Sequence, residues 1–164
     1  MKSVEMGDAM KEGMRRLASG VCVISSRDSK GEAHAMTATS VTSVSDSPAS
    51  LLVCINKSTR MYTAMQQGAD FCVNLLGCDQ EAVSNRCSSG DQNDDRFDEG
   101  NWLGDQAIPY LDDALGVFFC RQAESMEFGT HRIVVGEITS VMVAEGGSID
   151  PLIYLNGSYG KVAK

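Results

Sequence analysis

Apolar residues recur at four- and three-residue steps where the chain begins. Met6, Met10, Met14 and Leu17 form one stripe, which predicts an amphipathic helix over residues 5–18, ended by Gly20. The period then shortens. Residues 21–25 read as a strand, and Arg27-Asp28-Ser29-Lys30-Gly31 as the turn of a hairpin returning through Glu32. The returning segment is dense in hydroxyls. As a single strand it would place Thr37, Thr39, Val41, Ser43 and Ser45 on one face, and Ala38, Ser40, Thr42 and Val44 on the other. Asp46-Ser47-Pro48 makes a turn. Residues 50–55 are a short continuous apolar run, the pattern of a buried strand. Ser58 is the expected N-cap of a helix over residues 59–67, closed by Gly68. Residues 70–76 form a further strand and residues 80–86 a short helix.

Residues 88–106 change character. They are polar, acidic and glycine-rich, with Phe97 and Trp102 as the apolar residues that would pin such a loop to the body. Beyond them the pattern is β-rich. Two long strands, 115–128 and 132–143, meet at Gly129-Thr130-His131. Glu145-Gly146-Gly147 is a turn. A last short pair, 151–154 and 159–162, flanks Asn156-Gly157, a strong hairpin signal. Many short strands with two or three marginal helices predict a single mainly β domain over 1–164, an antiparallel barrel rather than a doubly wound sheet.

Composition narrows the partners. A chain of 164 residues with 43% apolar content can bury a real core. No apolar run approaches a membrane span, and acids in the first turns argue against a secretion signal. A net charge of −8 opposes nucleic acid and anionic membranes as partners, though it does not exclude a small anionic ligand. The six cysteines form no C-x-x-C pair and only two histidines accompany them, so no metal site is expected. All six are read as reduced, in a cytoplasmic protein.

Candidate chemistry is sparse. Lys57 beside a helix start, next to a hydroxyl-rich strand, would suit a phosphate. The same threonines also suit a strand whose hydroxyls face water, and residue chemistry alone favours that plainer reading. His131 follows a Gly-Thr pair at a strand junction, where a lone histidine is more often packed or solvated than catalytic. No dinucleotide, P-loop, nucleophile-elbow or zinc-protease motif is present.

Several stretches together carry a resemblance. They are A-M-K-E-G-M-R-R-L-A-S-G-V-C-V-I-S-S, M-T-A-T-S-V-T-S-V-S-D-S-P-A-S-L-L-V-C-I-N, F-C-V-N-L-L-G-C-D-Q-E, F-G-T-H-R-I-V-V-G-E-I and P-L-I-Y-L-N-G-S-Y. The chain resembles the flavin reductase family of short NAD(P)H:flavin oxidoreductases. The nearest branch is the reductase component of 4-hydroxyphenylacetate 3-monooxygenase, with its pyrimidine-utilisation relatives. The resemblance implies a split β-barrel homodimer with FMN or FAD near the subunit interface, NADH or NADPH as hydride donor, and a separate oxygenase that receives reduced flavin. It implies flavin contacts from Thr37, Ala38, Thr39 and Ser40, partly through backbone, and from Cys54 and Ser88. Asn56, Lys57 and Ser58 would lie by the ribityl-phosphate end, and His131 near the ring where nicotinamide stacks. The chain departs from the family at Cys87-Ser88-Ser89, where Phe-Ala-Gly or similar is common, and in its N-G-S-Y-G-K tail. Thr130, where other branches carry Asp, leaves NADH against NADPH open. Two other readings stand beside a reductase: a non-catalytic FMN-binding electron carrier on the same barrel, and a structural barrel with a regulatory ligand.

Overall fold

The computed structural model describes residues 5–88 and 95–164. Ser89 and the stretch 90–94 of the acidic loop lie outside these residues. Helix α1 (Met6–Met14) is followed by β1 (Ser19–Gly20), β2 (Cys22–Arg27), β3 (Ala33–Ala38), β4 (Val41–Asp46) and β5 (Ala49–Asn56). Then come α2 (Arg60–Gln66), β6 (Phe71–Leu75), α3 (Glu81–Ser88), β7 (Trp102–Leu103) and β8 (Tyr110–Leu111). The chain ends with β9 (Gly116–Phe128), β10 (His131–Val143), β11 (Ile153–Leu155) and β12 (Ser158–Gly160). The architecture is mainly β, as the short-strand pattern predicts.

Seven strands form one antiparallel sheet in the order β3-β2-β6-β9-β10-β5-β4. Its two outer strands, β3 and β4, are consecutive in sequence, joined only by Thr39 and Ser40. The three Cα steps from Ala38 to Val41 span no more than about 11 Å. The sheet must therefore curl until its edges nearly meet, the arrangement of a split barrel. This corrects the expectation of one continuous hydroxyl-rich strand. Each residue between His34 and Ser45 suits a strand, but the backbone leaves one edge at Ala38 and joins the other at Val41. A register shift between Ser43 and Ser45 further breaks the predicted alternation.

The curl explains why β2 and β6 are buried on both faces. Cys22 and Ile24 of β2, with Phe71 and Val73 of β6, point into a core shared with Val53, Ile55, Val134 and the α2 methionines Met61 and Met65. Val23 and Cys72 point the other way, into a second core with Val83 and Cys87 of α3, Leu111 and Leu152. Phe97 and Trp102 pack edge to face at 4.9 Å against this second core, pinning the acidic loop as predicted. All six cysteines are free, and Cys22, Cys72, Cys87 and Cys120 are buried. Desolvation pushes the Cys22 thiol up to about 11 and those of Cys72, Cys87 and Cys120 up to about 12.

The two glycine-marked hairpins form where predicted. Gly129 carries φ +57 between β9 and β10. Asn156 and Gly157 carry φ 53 and 76, and β11 pairs with β12 around them. Two boundaries differ. Helix α1 stops at Met14 instead of 18, and none of its residues is buried. The N-cap of α2 is Thr59, not Ser58; it makes no side-chain cap bond, because its hydroxyl donates to the Asn56 carbonyl at 2.7 Å instead. Among the described residues no helix is long and apolar enough to cross a membrane.

Candidate functional site

Strand pairing assembles the site. Directly opposed residues on neighbouring strands share a face of the sheet. His131 of β10 opposes Asn56 of β5 on one side and Phe128 of β9 on the other. Two residues along, Ile133 opposes Cys54 and Met126. The intervening row, Ile55, Arg132 and Glu127, takes the opposite face. One outward surface therefore carries two polar side chains, Asn56 and His131, beside an apolar strip. Phe128 and Met126 of that strip are 73% and 55% exposed, a large apolar surface open to solvent.

The chain reversals at its rim are tightly bonded. Asn56 Oδ1 accepts from the Ser58 amide at 2.9 Å, and its carbonyl accepts from the Thr59 amide and hydroxyl. The Lys57 amide donates to the Thr130 carbonyl at 3.0 Å, tying the end of β5 to the β9–β10 turn. His131 Nδ1 lies 2.8 Å from the Thr130 hydroxyl, so that contact engages one ring nitrogen and Nε2 is the other. Ser40, in the link between the sheet edges, donates to the Cys54 carbonyl at 3.3 Å. The structure thus brings Ser40, Cys54, Asn56, Ser58 and His131 to one region.

The remaining candidates stand differently. Thr37 faces α3, and its hydroxyl donates to the Ser84 carbonyl at 2.7 Å. Ala38 points into the first core. These two can reach a ligand through backbone groups, which β3 leaves open as an edge strand. Thr39 is exposed in the link. Ser88 ends α3, its hydroxyl donating to the Asn85 carbonyl at 3.1 Å. Lys57 sends its side chain away from His131, to Glu127 Oε2 at 3.2 Å.

Glu127, absent from the sequence reading, meets that lysine, and it gathers two more such residues. Glu127 also receives hydrogen bonds from the Tyr62 hydroxyl and, at 3.2 Å, from Arg132 Nη1. The Tyr62 bond, then Lys57, holds the Glu127 carboxyl below its usual range. The signal was present: a two-residue turn at Gly129-Thr130 makes Glu127 and Arg132 cross-strand partners of opposite charge. Elsewhere Asp28, Glu32 and His34 bring ligand-type atoms within 4.8 Å of one another. Asp28 uses those oxygens locally, accepting from the Lys30 and Glu32 amides and lying 2.9 Å from His34 Nε2.

A curled sheet with a polar and apolar face at its β5–β10 seam is the frame of a flavin reductase. Residues 14–163 match the family described as flavin reductase like domain, and the chain belongs to it. It is 36% identical over 156 residues to the reductase component of an FADH(2)-dependent resorcinol hydroxylase from Rhizobium sp. (strain MTP-10005), covering 94% of this chain and 86% of that one. It is 38% identical over 146 residues to an NADH:riboflavin 5'-phosphate oxidoreductase from Streptomyces pristinaespiralis, covering 87% and 80%. Among solved structures, the NADH:FAD oxidoreductase SgcE6 of Streptomyces globisporus C-1027, in complex with NAD and FAD fragments, superposes with a TM-score of 0.86 at 25% identity. That match covers 99% of this chain and 98% of that one.

Proposed function

We propose that this chain is an NADH-dependent flavin reductase that acts as a homodimer and supplies reduced FMN or FAD to a separate oxygenase. The observation that carries this reading is the outward row of Asn56, His131 and Phe128 beside Cys54, Ile133 and Met126. A flat heteroaromatic ring needs an apolar surface to lie on and hydrogen-bonding groups at its edge, and this face offers both. Backbone groups of Ala38 to Ser40 at the open sheet edge, with Cys54 and Asn56, would hold the flavin. Lys57 and Ser58 lie at the reversal beside them and would meet its phosphate. Ser88, at the end of α3, would close the β3 side.

Flavin and nicotinamide, when bound, supply the hydride chemistry themselves. The protein needs to stack the two rings and to exclude water from the face between them. Amides of the Thr39–Ser40 link can stabilise negative charge on the ring edge without a titratable side chain. His131, half-buried at the rim with one ring nitrogen turned to Thr130, can orient the second nucleotide. Free thiols throughout support a reducing, cytoplasmic setting. The names of the relatives support NADH as donor and a separate oxygenase as acceptor.

The test is NADH oxidation followed at its absorbance band, with FMN, with FAD and with neither. Flavin-dependent turnover is the expected result. Tight flavin binding without turnover would replace the reductase by an electron carrier.

A further inference from the structure

The face opposite His131 holds a separate cluster. Glu127 stands at its centre, bonded by Tyr62, Arg132 and Lys57 together. Arg132 is further held by the Ser125 hydroxyl at 2.8 Å, and Gln66 donates to the Tyr62 hydroxyl at 3.0 Å. Among the described residues the buried Arg132 Nε has no hydrogen-bond partner, so this guanidinium depends on Glu127 and Ser125. The Lys57 and Glu127 side chains are 34% and 41% exposed, so solvent and a ligand can both reach this pair.

Resting on the reading of Lys57 as a flavin phosphate contact, we infer that Glu127 is a positioning residue that parks the Lys57 ammonium in the ligand-free protein and sets the preference for phosphorylated flavin over riboflavin. Three features support it. Lys57 is tethered through its own backbone to Thr130, so only its flexible stem must move when a phosphate arrives. Glu127 keeps Tyr62 and Arg132 when Lys57 leaves, so no carboxylate is stranded. A carboxylate and a phosphate competing for one ammonium oppose each other, so the ion pair subtracts from the gain on binding phosphate. Riboflavin lacks the phosphate and is insensitive to this competition.

The experiment compares dissociation constants for FMN and riboflavin in the wild-type protein, Glu127→Gln, Lys57→Ala and the double variant. Both ligands are titrated on the same preparation, so their ratio is unaffected by a misfolded fraction. Lys57→Ala should cut the preference for FMN by about tenfold or more, the worth of a charge-assisted contact. Glu127→Gln should raise it by about two- to fivefold, the worth of a half-exposed ion pair. The double variant should match Lys57→Ala alone. If Lys57→Ala cuts the preference while Glu127→Gln leaves it unchanged, the parking role is overturned and the phosphate reading survives. If Glu127→Gln raises the preference equally without Lys57, Glu127 acts by direct repulsion and the inference fails. An unchanged preference in Lys57→Ala removes the phosphate reading and this inference with it.

Discussion

His131 stands where a half-buried ring, a left-handed glycine and two strand ends converge. Its contact to Thr130 is an exposed hydrogen bond, worth about 1 kcal/mol or less to stability. Its position at the rim is worth more to alignment, where small misplacements cost on the order of tenfold to a hundredfold in rate. His131→Ala is therefore expected to slow anaerobic flavin reduction by NADH, or raise the Michaelis constant for NADH. Flavin affinity and melting temperature should barely change. Stopped-flow reduction, flavin titration and a melting curve on the one variant check this, and a joint loss of melting temperature and flavin affinity would make His131 a buttress of the hairpin.

Strand β10 carries the site on a backbone that is irregular by necessity. The pairing of β9 and β10 slips between Val135 and Gly136 and again between Ile138 and Ser140. Such shifts bend long strands and let this pair wrap the core. Gly136 sits at the first slip, and a Cβ there would lie 2.6 Å from Phe71 Cζ and 2.8 Å from Cys120 Cβ. Both neighbours are buried, so neither can swing away. Gly136→Ala should destabilise by about 1–3 kcal/mol, as overpacked cores do, and Phe71→Leu in the same chain should restore part of that loss. Chemical denaturation measures both. The pairing of β9 with β10 was legible from Gly129 and two apolar runs, but the slips were not, and the first of them packs against Phe71 of β6, remote in sequence. The Thr39–Ser40 break escaped for the same reason. Every residue there has strand chemistry, and only the curl of the whole sheet forces the chain off one edge and onto the other. His131, Asn56 and Cys54 were reached through resemblance, whereas Glu127 and Arg132 needed the hairpin register.

At the scale of the molecule, apolar surface is distributed unevenly. The two cores hold most of the buried apolar side chains of β2, β6, α2 and α3. Outside them, Met6, Met10, Met14 and Leu17 of the N-terminal segment are 80%, 56%, 53% and 57% exposed, so the stripe that predicts the helix stays largely open to solvent in a single chain. Phe128 and Met126 of β9, Val143 of β10 and Val44 of β4 are exposed as well. Isolated helices of nine residues are marginal in water, and α1 buries none of its residues against the rest of the chain.

That unpartnered helix would tie thermal stability to the amount of protein in the tube. If a second copy covers the stripe, unfolding separates two chains as well as disordering each, and dilution favours the unfolded side by mass action. For a dimer of this size each tenfold increase in concentration should raise the midpoint of a reversible thermal transition by about 2 °C. Replacing Met6 and Met10 by lysine should weaken that dependence while leaving the spectrum of the folded β-sheet intact. A midpoint that stays constant from low micromolar to several hundred micromolar would mean that each chain melts alone, with its methionines facing water.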